Sequence, residues 1–532
     1  MPVIRKATPR LPPKVILPAA ALTLVGALLR FIYIGHQGFW YDESYTAFLV
    51  HFSPGRMIGL IPSQESTPPL YYCVAWVWAR IFGYGPGGLR SLSALCGVLT
   101  IPVAYSAALK LIGKRQAAII VGALTACSPL LVWYSQEARA YAMLVLFASL
   151  SLLCFAYALE RPSGRRLAFW VVSCGLALCT HYYAVLLVAP EALLLIRGHR
   201  RERKLWYALS AVLLVALALL PLLAHQSSNG NQSWIAAASV GKRLAQLPTL
   251  YVIGTGSPLR ELLKYLGFAG VLIAFGMLCW KADQHERRRA TAPLVIAAGG
   301  ITIVLIMLIG GNDTLLGRNL LPLWLPLTVA LGAGLAAERS RLTGVLVGAM
   351  LCAIGVAAVI GVDSNYWLQR PNWQPLAAAL SRHRGSSSQS TAALPSYTHG
   401  HRQAAAAVGA GARLVIVQGN PGLLPLGLYL PGLRYDRVRV NRRVSEIDII
   451  AIDLHRGLGS YCWWGSACNL VPSRLRESYS IAGFEQSDSL HVQQFAVKVL
   501  LSKRPQTVTL GQLARALHQP SLHKDAYLIS PT

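Results

Sequence analysis

The sequence predicts an α-helical multi-pass membrane protein carrying a C-terminal domain of mixed helices and strands. Three observations carry that expectation. Of the 532 residues, 54% are hydrophobic and 13% charged, a charged share too small to cover a soluble protein of this length. Apolar runs near the ~20 residues needed to cross a bilayer recur through the first two-thirds of the chain. The basic residues behind the net charge of +28 fall in short clusters between those runs, where loop charge sets orientation. They do not gather on one domain, so the charge argues for topology signals and against a nucleic-acid partner.

Taken in order, residues 1–14 carry Arg5, Lys6, Arg10 and Lys14 ahead of the first apolar run. This resembles the n-region of a signal peptide, but the run is long and no A-x-A site follows. It reads as an uncleaved first span. Candidate spans lie at roughly 16–35, 89–109, 116–134, 141–159, 167–184, 185–196, 205–224, 262–280, 292–310, 319–337 and 342–361. Their connections alternate in charge. Lys110/Lys114/Arg115, Arg161/Arg165/Arg166, Arg197/Arg200/Arg201/Arg203/Lys204, Lys281/Arg287/Arg288/Arg289 and Arg339/Arg341 fill one set, and the other set is poor in Lys and Arg. Basic loops stay cytoplasmic, which puts the first set and the N-terminus inside.

Segment 68–83 (PPLYYCVAWVWARIFG) is apolar too, yet counting it as a span would move every later basic cluster outside. It is short, opens on two prolines and holds Tyr71, Tyr72, Trp76, Trp78 and Phe82. It therefore reads as an interfacial helix whose Tyr and Trp side chains anchor it at headgroup level. About eleven spans remain, N-terminus in and C-terminus out, in a transmembrane domain of residues 1–362. Residues 181–197 are tight for a full crossing.

Residues 363–532 are more polar and form the expected exofacial domain. Strand-like runs at 412–418, 448–454 and 495–501 accompany helix-compatible segments at 374–383 and 510–518, the pattern of a small α/β domain. The serine-rich SRHRGSSSQS reads as a loop within it. Cys73, Cys96, Cys127, Cys154, Cys174, Cys179, Cys279 and Cys352 lie in apolar runs, as small hydrophobes do. Cys462 and Cys468 lie in the exported part, where a short disulfide loop is permitted. Asn231-Gln232-Ser233 matches a glycosylation sequon, a match common by chance.

With this topology the outside loops hold the informative charges. FWYDESYTAFLV places Asp42 and Glu43 just past the first span, and YSQEARAYAML places Glu137 and Arg139 between the third and fourth. Thr180, His181 and Tyr182 stand at an outer end, and GGNDTLLGRNLLP places Asp313 and Arg318 before the tenth span. Charges at a membrane boundary are costly unless paired or hydrated, so several at one level mark a site. A carboxylate there can take a proton from an acceptor hydroxyl, and guanidinium groups can hold a phosphate and stabilise it as a leaving group. These arguments alone do not separate sugar transfer from other chemistry on lipid phosphates.

The ordered elements FWYDESYTAF, TPPLYY, LRSLSAL, YSQEARAYAML, THYY and GRNLLP, with RPNWQPLAAAL at the domain boundary, add a resemblance over about residues 15–370. Together they resemble the GT-C superfamily of polyprenyl-phosphate-sugar glycosyltransferases. The likeness is greatest to glycosyltransferase family 39, the protein O-mannosyltransferase-like group, and more distant to lipid A aminoarabinose transferases. It implies a hexosyl or pentosyl transfer from a polyprenyl-phosphate donor to a glycan, lipid or protein hydroxyl, with inversion, at a bacterial inner membrane. By it Asp42 is the general base, Glu43 and Glu137 bind or position substrate, and Arg139, His181 and Arg318 face the lipid phosphate. One departure is Thr67, where many relatives carry His or Lys before the proline pair.

No closely spaced His/Cys/Asp/Glu set, HExxH or CxxC is present, so no metal site is expected. Some GT-C enzymes use a divalent cation and others do not. Neither a Walker A loop nor a dinucleotide fingerprint occurs, which argues against a nucleotide-sugar donor and against a bound cofactor.

Plainer readings stand beside these. Asp42 and Glu43 suit a helix N-terminus. Glu137 and Arg139 suit a structural ion pair, His181 a packing residue, Arg318 a snorkelling anchor and Asp313 a solvated loop. A transporter or flippase would place polar groups near the midplane, whereas Glu191 is the exception in spans otherwise nearly empty of charge. A scaffold without chemistry would have no use for the four boundary charges Asp42, Glu43, Glu137 and Arg139.

Overall fold

The computed structural model describes residues 13–230, 235, 239–382, 412–417, 423–430, 433–437, 442–452, 475–518 and 526–529. Residues 1–12, the sequon, most of the serine-rich loop and the Cys462/Cys468 pair lie outside the described residues. The chain divides into two compact units. One holds Met1–Ile34, Phe52–Gln232 and Val240–Ile360. The other holds Gly35–His51, Ser233–Ser239 and Gly361–Thr532.

The helices in chain order are α1 (Pro13–Phe31), α2 (Tyr41–Val50), α3 (Pro54–Gln64), α4 (Leu70–Phe82), α5 (Pro86–Ile112), α6 (Arg115–Cys127), α7 (Pro129–Ser135) and α8 (Tyr141–Glu160). They continue as α9 (Gly164–Thr180), α10 (Val185–His199), α11 (Arg203–Ser228), α12 (Val240–Ile253), α13 (Arg260–Gly276), α14 (Gln284–Ile309), α15 (Trp324–Leu335) and α16 (Arg341–Ser364). Among the described residues six helices are long and apolar enough to cross a membrane. They are α5, α8, α11, α14, α16 and α13 with the π turn that extends it to Lys281. The pair α6 and α7, bent by 52°, makes a seventh. Shorter helices α1, α9, α10 and α15 complete the path expected of about eleven spans.

Local chemistry explains the breaks. Pro129 opens α7, and the Ser128 side chain caps it by accepting the Leu131 N–H (3.3 Å), as small polar residues do at helix starts. Gly113, at φ +78°, ends α5 in the left-handed conformation that glycine tolerates. Asp283 and Glu286 open α14 with reciprocal bonds, Glu286 N to Asp283 Oδ1 (2.7 Å) and Asp283 N to Glu286 Oε2 (2.8 Å).

Burial within the apolar stretches separates centre from rim. It is 67% for α5 and for α8 but 11% for α11 and 22% for α14. The first two form the middle of the bundle, while α11 leaves Leu213, Leu214, Leu217 and Leu220 exposed, as a lipid-facing helix does.

The bundle has two chemically different ends. At one, Lys110 pairs with Glu160 (2.8 Å), Arg166 with Glu160 (3.4 Å), and Lys114 with Glu338 (3.0 Å) and Glu286. This joins the basic connections of the sequence. At the opposite end, Arg90 at the start of α5 donates to the carbonyl of Ile34, just past α1 (3.1 Å). The chain therefore leaves and re-enters at the same end between α1 and α5, and α4 adds no net crossing. Its 13 residues are also too few to span.

The expectation that the Tyr side chains of this helix anchor in lipid needs correction. Tyr71 and Tyr72 are fully buried. Tyr71 bonds Ser93 (3.3 Å) and Tyr72 bonds Thr67 (3.1 Å). The indoles of Trp76 and Trp78 donate to Phe52 O and Ser91 Oγ, both at 2.8 Å. Val77, Ile81 and Phe82 form the exposed apolar face instead.

The second unit contains α17 (Trp373–Arg382), β1 (Ala412–Val417), α18 (Leu423–Tyr429), β2 (Leu433–Arg437), β3 (Arg442–Ile452), β4 (Glu485–Val492), β5 (Phe495–Val508), α19 (Leu510–Leu517) and β6 (Ala526–Ile529). One six-stranded sheet has the order β2-β6-β1-β3-β5-β4, with β1 and β3 parallel and the other pairs antiparallel. Successive residues alternate between faces. Val415, Val417, Ile450 and Ile452 pack on α17 and α18, and Leu414, Ile416, Ile447 and Ile449 pack near α19. Both faces are covered, which is why these strands are continuous apolar runs in the sequence.

Candidate functional site

In the first unit the site forms at the end of the bundle that holds Ile34 and Arg90. Arg139 lies in the short turn between α7 and α8. Its Nη1 and Nη2 donate to Glu65 Oε1 (2.6 Å) and Oε2 (2.8 Å), a fork that fits a carboxylate. Both side chains are buried, with 10% and 3% of their surface exposed. Burial opposes the Arg139 charge, but Glu65 outweighs it and holds the guanidinium well above its ordinary pKa. The Arg139 carbonyl accepts from Ser93 (3.2 Å), and the Tyr72 ring lies 5.9 Å from its guanidinium carbon.

Rings continue the site from there. Tyr134 packs on Tyr141 (4.9 Å between centroids), Tyr141 on His181 (5.8 Å) and His181 on Tyr183 (5.4 Å). Arg318, on the 3-10 turn Gly317–Leu323, stands 5.7 Å from the Tyr141 ring. His181 follows the last residue of α9 in extended backbone, and its Nδ1 accepts the Tyr183 N–H (3.3 Å). Burial, then Arg318 and Arg139, push its pKa down to about 3. The imidazole is therefore neutral with its proton on Nε2, a donor and not a third cation. Arg139, His181 and Arg318, three residues expected from separate loops, are brought together.

Asp42 and Glu43 belong to the second unit, in the first turn of α2. The turn before it is fixed from the RPNWQPLAAAL segment and α18. Asn372 Oδ1 accepts the Gly38 N–H (3.0 Å) and the Tyr429 hydroxyl accepts that of Phe39 (2.6 Å). Gly38 has no room for a Cβ, which would lie 2.9 Å from Asn372 Oδ1. Glu43 is fully buried and accepts the Trp40 N–H (3.3 Å), the capping role open to it from the sequence. Asp42 keeps partial exposure.

One expectation is corrected here. Asp313 is not a solvated loop residue. Arg243 Nη1 donates to its Oδ1 (2.7 Å) and Nη2 pairs with its Oδ2. Arg139 pairs with Glu65, and Glu137 is a buried carboxylate two residues before it.

Sequence reasoning missed Glu65, whose only signal is a carboxylate two residues before the TPP element. It also missed Gln226, which donates to Thr67 O (3.1 Å) and accepts from the Tyr182 hydroxyl (2.8 Å). Thr67 is thus an internal packing and hydrogen-bonding residue. Among the described residues no group of three or more His, Cys, Asp or Glu side chains is placed to hold a metal ion.

Removing one partner of a buried ion pair leaves the other uncompensated, at about 3–5 kcal/mol. Glu65→Gln is expected to lower the unfolding temperature in nanodiscs more than Glu261→Gln, whose side chain is 65% exposed in its own pair. Equal shifts would contradict the importance of the pair. The hydrogen bond from Arg243, with the guanidinium charge beside it, depresses the Asp313 pKa. A depressed carboxylate stabilises the fold above its unfolded pKa of about 4, and that contribution disappears as pH falls through the folded value. The melting difference between the native chain and Asp313→Asn should therefore be present at neutral pH and shrink below about pH 4.

Comparison with known proteins adds two findings. Residues 66–225 match the family model for dolichyl-phosphate-mannose-protein mannosyltransferases, whereas the search of curated proteins found no match. The crystal structure of apo ArnT from Cupriavidus metallidurans aligns over 91% of this chain and 97% of its own, at 14% identity and a TM-score of 0.53. ArnT from the same organism bound to undecaprenyl phosphate aligns over 91% and 98%, at 16% identity and a TM-score of 0.48. The Saccharomyces cerevisiae Pmt1-Pmt2 complex bound to the sugar donor aligns over 45% and 37%, at 16% identity and 0.32. The fold assignment rests on the first of these structures. By fold and by family match, the chain resembles the GT-C superfamily of glycosyltransferases and is a multi-pass membrane protein of that architecture.

Proposed function

We propose that the protein transfers a sugar from a polyprenyl-phosphate donor to an acceptor hydroxyl on the non-cytoplasmic side of a bacterial inner membrane, with inversion. One observation carries the reading: the turn that bears Arg318, which stands over the Tyr141 ring, also helps to line an apolar cavity. The cavity measures about 650 Å³ and is lined almost wholly by apolar side chains, including Leu320 and Leu323 of the turn that bears Arg318, with Tyr251, Phe268 and Trp324. A phosphate carrying a long hydrocarbon chain needs this pairing of charge and dry surface. The family match, to enzymes that use dolichyl-phosphate mannose, supports the same donor class. The orientation follows from the basic connections at the opposite end of the bundle.

In the reaction Asp42 takes the acceptor hydroxyl proton and the oxygen attacks the anomeric carbon. The bond from that carbon to the phosphate oxygen breaks, and polyprenyl phosphate leaves. Arg318 and Arg139 stabilise the charge developing on the phosphate, and the His181 Nε2–H adds a neutral donor. Glu43, buried and committed to the cap, supports Asp42, the more exposed carboxylate, as the base. Glu137 positions substrate. The C-terminal α/β unit serves acceptor recognition.

Purified protein in nanodiscs, given a panel of polyprenyl-phosphate sugars with candidate acceptors, should release polyprenyl phosphate. Asp42→Asn should lower kcat by roughly 10²-fold or more, in keeping with loss of a general base. Turnover unchanged in that variant would remove Asp42 from the role, and absence of both turnover and donor binding would overturn the reading.

A further inference from the structure

Arg30, near the C-terminal end of α1, is fully buried, yet its hydrogen-bond partners among the described residues are three carbonyls and a hydroxyl, with no carboxylate. Its Nη1 donates to Ala126 O (2.9 Å) and Gly26 O (3.0 Å), Nη2 to Thr125 O (3.0 Å) and Nε to Ser135 Oγ (3.2 Å). Thr125 and Ala126 are in the last turn of α6, where carbonyls lack intrahelical partners. Ser135 is the last residue of α7. One planar group thus joins both sides of the 52° bend.

The C-terminal end of α6 supplies the partial negative charge that a buried cation requires, and the rigid fork supplies the directions. The slot is built for it. A Cβ on Gly97 would lie 2.1 Å from Ser135 Oγ and 2.8 Å from Arg30 Nε, and one on Gly26 would lie 3.2 Å from Arg30 Nη1.

The chain leaves α7 straight into the turn that carries Glu137 and Arg139. Gln136, the first residue of that turn, donates to Leu29 O (3.2 Å), again on α1. Two consecutive residues at the exit of α7 are therefore tied to two consecutive residues of α1. We propose that Arg30 is the positioning residue for the Glu137/Arg139 turn. Its guanidinium takes the place of the helical hydrogen bonds lost at the bend and sets the direction in which the turn enters the site. Arg30 touches no substrate and acts through Arg139 and Glu137; its consequence for catalysis rests on the transferase reading above.

The test uses the full-length protein in nanodiscs with Arg30→Lys, which keeps the charge and loses the fork, and Ser135→Ala, which removes one acceptor at the bend. Amide hydrogen exchange is read by mass spectrometry. Exchange over residues 128–141 is expected to rise about tenfold in Arg30→Lys and less in Ser135→Ala, with the middle of α5 and α8 unchanged. With donor, kcat should fall about tenfold or more while KM for the donor stays within about twofold, as for a displaced catalytic group.

Exchange unchanged over 128–141 in both variants would overturn the proposal. So would an equal rise throughout α5 and α8, which marks general loosening, or a rise in KM with kcat intact. If Arg30→Lys does not fold, Ser135→Ala alone decides by the same exchange pattern. If the native chain turns over no donor, the transferase reading fails while the exchange result still judges Arg30.

Discussion

The ion pair between Glu65 and Arg139 is the interaction on which the site end of the bundle depends. It fastens two loops that the chain path would otherwise leave independent, the excursion between α1 and α5 and the turn between α7 and α8. Charges at this depth are tolerated only when matched, and the bidentate geometry with buried Tyr72 alongside satisfies that demand. Because Arg139 is held by a carboxylate, its position is set by the fold itself. Preorganised charge of this kind does not have to reorganise as a reaction proceeds.

The same logic orders the rest of that end. His181 is kept neutral by burial and by two guanidinium neighbours, so it contributes a directed N–H without adding a third positive charge. Arg243 and Asp313 tie α12 to the loop that leads into the Arg318 turn, and the Tyr251 hydroxyl donates to Leu320 O within that turn (2.7 Å). Gln226 joins the THYY element to the loop before α4. Each linkage crosses between segments far apart in the chain. The polar network therefore depends on the packing of the apolar helices that bring these segments together.

This explains what was legible beforehand. The spans are visible because lipid demands long apolar stretches, and the strands at 412–417 and 495–508 because two covered sheet faces demand continuous apolar runs. Arg139, His181 and Arg318 are visible as isolated polar residues beside apolar segments. Glu65 is not, since a carboxylate within SQEST looks like any solvated loop residue until Arg139 is placed against it. Asp313 was misread for the same reason, its partner lying on α12, a helix too short and too mixed to register as a span. The tyrosines of α4 carry the composition of an interfacial anchor, and only their partners Ser93 and Thr67 reveal that they face inward.

The central claim is that Arg139, His181 and Arg318, with the apolar cavity that the Arg318 turn helps to line, receive a lipid-linked phosphate. The most direct measurement is the affinity of the native chain and of Arg318→Gln for polyprenyl phosphate in nanodiscs, with folding of both verified by melting. The account predicts saturable binding by the native chain and at least about tenfold weaker binding by the variant, a difference of about 1.4 kcal/mol. Equal affinities in two folded proteins, or no binding by the native chain, would contradict it.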